Sequence, residues 1–144
     1  MEILDNFKLS VFMTHTKIVE WALRIGLFGT FVGHGAFALQ GKAGWIVWIA
    51  DFTGWDTALA AQALILIGIL DIAVGFIILV KPIRAVLMWA ILWTSWTAIM
   101  RILPFIGDPI WEVLEKLINP AAAVALLYLH ELPSGLNRLK HWFK

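Results

Sequence analysis

The sequence predicts an all-α membrane protein: a four-transmembrane-helix bundle with N- and C-termini cytoplasmic and short interfacial segments at both ends. Three observations predict it. Four apolar stretches, at 21–39, 58–80, 85–103 and 113–129, fill most of the 144-residue chain. The composition is 61% hydrophobic and 15% charged with a mean hydropathy of +0.85, outside the usual soluble range. Each stretch also carries at least one ionisable residue, which hydrocarbon tolerates only where a polar interior or a partner receives it.

Residues 1–18 read as an N-terminal interfacial segment, with Ile3, Leu4, Phe7 and Val11 near one helical face and Glu2, Asp5 and Lys8 opposite. The membrane domain follows at 19–131, with helices at about 19–39, 58–80, 84–103 and 112–130. A spanning helix needs about 20 apolar residues, so the first three windows qualify and the fourth is short. The first window also invites comparison with a cleaved signal peptide, since Ala36, Phe37 and Ala38 resemble a cleavage site. Glu2, Asp5 and Glu20 make a poor basic leader, so the span is expected to be retained.

Between the first two spans, residues 44–50 are too few to cross. They are expected to dip into the outer interface, with Trp45, Trp48 and Trp55 as headgroup anchors. The second span has only Gln62 and Asp71 as strongly polar side chains. Gly68, Asp71 and Gly75 recur on one face of it, where another helix can approach closely. The third span is bracketed by Arg84 and Arg101, roughly 25 Å apart along the axis. The fourth opens with Glu112, Glu115, Lys116 and Asn119, and Pro120 removes a backbone donor and is expected to kink it.

The tail, 132–144, reads as a basic amphipathic helix, with Ser134 as N-cap and Leu136, Leu139 and Trp142 against Arg138, Lys140 and Lys144. With four spans, Lys8, Lys17, Lys81, Arg84 and the three cationic tail residues share one side. The positive-inside rule makes that side cytoplasmic.

A net charge of +1 gives no reason to expect nucleic acid as a partner. The absence of cysteine removes disulfide chemistry, Fe–S ligation and thiolate nucleophiles carried by this chain. The histidines and acids lack helical metal-ligand spacing, so no metal site is expected.

Two constellations remain. Arg24, low on the first span, and Asp71, about 13 Å above the cytoplasmic end of the second, are expected to form an intramembrane ion pair. That pair either fixes how two helices dock or couples to protons. In the outer half, Thr30 and His34 follow one row of the first span, and Thr94, Thr97 and Arg101 follow one face of the third. Antiparallel packing is expected to gather His34, Arg101 and an acid, Glu112 or Glu115, beside the stripe Trp89, Trp93 and Trp96. A quinone headgroup has two carbonyl acceptors, so His34 and Arg101 could donate to it while Trp93 or Trp96 packs on the ring. The competing expectation is a Glu-to-Arg101 clamp across the turn 104–109 with no ligand. His34 and Met100 also lie at similar heights, which allows His/Met ligation of heme, but a single intramembrane histidine supports it weakly.

Arg24, then Gly33, His34 and Gly35, then Trp93 followed by Arg101, Trp111, Glu112, Asn119 and Pro120 resemble the DoxX-like family of small four-helix membrane proteins. The likeness covers roughly residues 19–130. The resemblance implies a four-helix membrane bundle linked to quinone-reducing or oxygen-reducing systems or to membrane oxidoreductase assemblies, or an assembly chaperone. The family's cysteine-dependent redox chemistry does not extend to this chain. The expected function is an inner-membrane accessory subunit of a respiratory or other electron-transfer complex, in contact with other membrane subunits, with no intrinsic cofactor and with quinone or lipid contact at His34, Trp93, Trp96, Arg101 and Glu112. An assembly or chaperone factor and a small proton-coupled transporter are the alternatives, and independent turnover is not expected.

Overall fold

Helices built from uninterrupted apolar sequence dominate the computed structural model, which describes residues 2–104 and 106–131, with side chains from His15 to His130. In order they are α1 (Glu2–Leu39), α2 (Ala43–Thr53), α3 (Thr57–Val80), α4 (Arg84–Ile99), α5 (Ile110–Lys116) and α6 (Ile118–Glu131), with a 3-10 turn at Met100–Ile102 extending α4. There is no strand among the described residues. Three helices are long and apolar enough to cross a membrane: His15–Leu39 within α1, α3, and α4 with its 3-10 turn. The 24 residues of α3 reach about 36 Å, more than the roughly 30 Å of a hydrocarbon core. The tail 132–144, with its expected amphipathic helix, lies outside the described residues.

Local chemistry sets the helix ends. The Asp56 side chain accepts from the Leu59 N–H at 2.9 Å and caps α3. Gly41 after α1 and Gly54 after α2 adopt positive φ, 68° and 74°, which lets the chain reverse on both sides of α2. Pro82 pushes Lys81 out of the helical region, to φ −152° and ψ 86°, and ends α3.

Two of the expected boundaries differ. α1 is one helix of 38 residues from Glu2, so no break separates 2–18 from the first span. The expected helix 112–130 is two pieces meeting at Leu117. Pro120 has no N–H to give the Lys116 carbonyl, so α5 stops there and Ala121 donates to Leu117 instead, at 3.3 Å. The proline thus breaks the helix a full turn before its own position.

α1 packs along α3, and α6 packs along α4 while also touching α1; α3 meets α4 only lightly. The α1–α3 seam is made by glycine. A Cβ on Gly35 would lie 2.7 Å from the Gly68 carbonyl oxygen, and one on Gly68 would lie 2.9 Å from that of Gly35. Backbone therefore rests on backbone, the arrangement that gives dispersion contact where lipid supplies no hydrophobic drive between helices. The core takes Leu27 and Phe31 from α1, Val74 and Ile78 from α3, Leu87 and Ala90 from α4, and Ala123 and Leu126 from α6. Large apolar side chains such as Leu66, Ile69, Val80 and Leu92 stay exposed on the outer faces. In water that surface would drive aggregation; in lipid it is the required coat.

Candidate functional site

Above the core the two helix pairs diverge around a cavity of about 160 Å³. α1 contributes Thr30 and His34, one turn apart; α3 contributes Leu64, Ile67 and Asp71; α4 contributes Trp93, Thr94, Trp96 and Thr97, with Met100 and Arg101 beyond. Lys116 and Asn119, on either side of the α5–α6 break, close the fourth wall, and Trp45, Trp48 and Ile49 of α2 roof it. The structure therefore brings His34, Trp93, Trp96 and Arg101 to one space. Glu112 stays outside the wall and reaches the site only through Arg101.

Several polar side chains in the wall have a definable hydrogen-bonding state. His34 Nδ1 lies 2.8 Å from the Thr30 carbonyl oxygen. A carbonyl only accepts, so the ring proton sits on Nδ1, and Nε2 of the neutral ring is a lone-pair acceptor. This corrects the expectation that His34 donates to a ligand carbonyl. The Thr30 hydroxyl donates to Asn119 Oδ1 at 3.4 Å, that of Thr94 to the Ala90 carbonyl at 2.7 Å, and that of Thr97 to the Thr94 carbonyl at 3.1 Å. Arg101 Nη1 donates to Asp108 at 2.7 Å and Glu112 at 3.2 Å. The clamp across the turn exists, with Asp108 as its nearer acid. Glu115 pairs instead with Lys116, at 3.3 Å.

Aromatic rings form the rest of the wall. Trp45 stacks on His34 with centroids 5.6 Å apart and planes 8° from parallel. Arg101 lies over Trp48 at 5.5 Å, and Lys42 lies over Trp45 at 4.6 Å. Phe52 meets Trp96 edge-on at 5.6 Å, and Trp93 stacks on Trp89. Trp45 and Trp48 are therefore half-buried parts of a roof over the cavity. Trp55 is the one of the three expected headgroup anchors left well exposed.

The expected Arg24–Asp71 ion pair does not form. Arg24 pairs with Glu20, one turn away on its own helix, and with the Leu79 carbonyl at 3.5 Å. Glu20 also meets His130 of α6 at 3.1 Å, so this cluster ties α1 to α6. Leu79 is eight residues past Asp71, about 12 Å along α3, which a guanidinium held by Glu20 does not bridge. Asp71 is buried on the small-residue face, 5% exposed, in the cavity wall. The Trp93 side chain offers it a donor, while its Oδ1 has no partner. The Trp45 indole nitrogen is likewise buried and unpartnered.

A cavity of about 160 Å³ is close to the size that holds one benzene ring. Met100 and His34 share the wall. No cluster of three or more His, Asp or Glu side chains suited to a metal ion occurs among the described residues.

Compared with known proteins, the chain matches no family model, no curated protein and no solved structure. The likeness to DoxX-like proteins therefore rests on the short motifs alone.

Proposed function

We propose that the chain is an inner-membrane four-helix bundle, with α1, α3, α4 and the broken α5–α6 as its spans and both termini cytoplasmic, that serves as an accessory subunit of an electron-transfer assembly. Its cavity receives the ring of a benzoquinone-class lipid. The observation that carries this reading is one ring-sized, tryptophan-walled space lined by His34, Asp71, Trp93, Trp96 and Arg101. Flat aromatic walls suit a flat ring, and a few convergent polar groups suit its oxygens. The exposed apolar faces supply the surface for lipid and for neighbouring subunits. On this reading the chain holds the ring and has no thiol to exchange electrons with it. Its role is to position or sequester the ring beside a partner that does.

Purification from the native membrane in mild detergent tests both halves of the proposal. The expected result is a redox protein co-migrating in fixed ratio and a quinone in the organic extract of the same fraction. A colourless protein without partner or quinone would sink it.

That no cation among the described residues lies beside Asp71 favours a second reading, a proton-coupled transporter, because a buried acid without a fixed counter-ion is the usual site of such coupling. Proteoliposomes distinguish the two. Substrate-driven proton uptake that disappears in Asp71→Asn supports transport; its absence in the wild type leaves the ring-binding subunit.

A further inference from the structure

We infer that the cavity opens sideways into the bilayer, through a window between α3 and α4, and that the hydrocarbon tail of the ring lipid leaves by it. The inference rests on the ring-binding reading above: a cavity of about 160 Å³ is near the size of one ring, so the tail of a lipid seated there has to cross one of the walls.

The other walls are held. α1 lies on α3 with Gly35 against the Gly68 carbonyl and, two turns lower, with Phe31 and Val32 against Gly75. α6 packs along α4. Thr30 of α1 donates to Asn119 of α6 at 3.4 Å, and α2 roofs the space, packed along α3. α3 and α4 meet only lightly. They converge below the cavity, where Val74 and Ile78 share the core with Leu87 and Ala90. Above that level the Trp93 side chain reaches Asp71 and forms the sill of the gap. Higher still α2 spans the gap, with Phe52 edge-on to Trp96 at 5.6 Å and Trp48 under Arg101 at 5.5 Å. Such ring contacts part without breaking a hydrogen bond or unwinding a helix, so this is the wall that yields.

Helical spacing gives the two sides of the window. On α3, Ala63, Ile67 and Leu70 follow one row, on the side turned from Ile72, which packs against Gly35 of α1. On α4 and its 3-10 turn, Trp93, Trp96 and Met100 follow another. Ile67, Trp93, Trp96 and Met100 line the cavity, yet Trp96 and Leu70 are each 43% exposed. One apolar surface thus runs from the cavity to the lipid-facing side. Its charged neighbours are turned elsewhere: Arg101 and Lys116 go to Asp108, Glu112 and Glu115, and Asp71 is 5% exposed. An alkyl or prenyl chain suits this passage, and a charged headgroup does not.

The test is a photoaffinity probe, a benzoquinone with a decyl tail that carries a diazirine close to the ring. Full-length protein in mild detergent is illuminated with the probe, with and without excess duroquinone, and adducts are mapped by peptide mass spectrometry. Equilibrium dialysis of duroquinone is run on the same preparation. Adducts that duroquinone suppresses come from probe seated in the cavity, and they are expected on Ile67, Leu70 and Trp96. Suppressed adducts confined to α1 and α6, or to α2, overturn the window while leaving ring binding intact. Duroquinone binding with no suppressed adduct does the same. Binding of neither compound overturns the window together with the ring-binding reading.

A variant gives a second readout. A long side chain on a helix lies over the turn on its N-terminal side, so the indole of Leu70→Trp covers the window at the level of Ile67. The affinity of the decyl probe relative to duroquinone is expected to fall roughly tenfold or more, because only the tailed ring needs the passage. Detergent takes up the probe equally with either protein, so its share cancels in the comparison. Thermal unfolding establishes that the variant is folded, and an unchanged ratio in folded Leu70→Trp overturns the window. The adduct map on the wild type decides without it.

Discussion

Arg24 finds its carboxylate on its own helix, and that fact separates two residues which a sequence reading couples. Breaking a buried ion pair costs about 3–5 kcal/mol because one charge is left alone. Since Asp71 has no such partner, Asp71→Asn is expected to unfold within about 0.5 kcal/mol of the wild type or later, measured by thermal unfolding in detergent. A large loss would restore the paired picture. At the mouth, Arg101→Ala leaves Asp108 and Glu112 facing each other without their shared donor, and a loss of about 1–3 kcal/mol is expected by the same measurement. Glu112→Gln should cost under about 1 kcal/mol, because that carboxylate is 42% exposed and solvent already screens it. Asp71 on a small-residue face and the gathering of His34, Trp93, Trp96 and Arg101 were legible from helical spacing and height alone. The partner of Arg24 was not, because helical height alone does not say whether a long side chain turns to an acid on its own helix or to one on the next. The i, i+4 spacing of Glu20 and Arg24 was the available signal.

Among the elements, three long helices were legible because apolar length is a one-dimensional property. The inward face of α2 was not. Its 11 residues are apolar on nearly every side, so no periodicity tells roof from anchor. The break between α5 and α6 was signalled by Pro120, but its place depends on the lost bond to Lys116. Pro120→Ala restores that donor and is expected to fuse the two helices, seen as slowed amide exchange from residue 117 to 121. Fusing them shifts Lys116 relative to Asn119, so weaker ring binding is expected in the same variant. On the α1–α3 seam, Gly35→Ala pushes a methyl group into the Gly68 carbonyl. Overpacking of that kind costs about 1–3 kcal/mol, read as a lower unfolding temperature, whereas Gly29→Ala meets open space and should cost nothing measurable.

At the scale of the molecule, α1 with α3 and α4 with α6 are two tight pairs that meet across the cavity. One pair is locked backbone to backbone, and the other is joined to it mainly through α6. Among the described residues no side chain fills the gap between them. On the ring-binding reading, a bound ring acts as mortar between the two halves, so occupancy and integrity are one quantity. A ligand at a hundredfold its Kd stabilises by about 2.7 kcal/mol, and a thermal shift on adding ring should exceed that of any single surface substitution. Detergent that strips the membrane of such molecules should leave a looser protein whose halves exchange amide protons faster along the cavity than along the seam. The yield of intact protein then becomes a gauge of how much of its own lipid a preparation has kept.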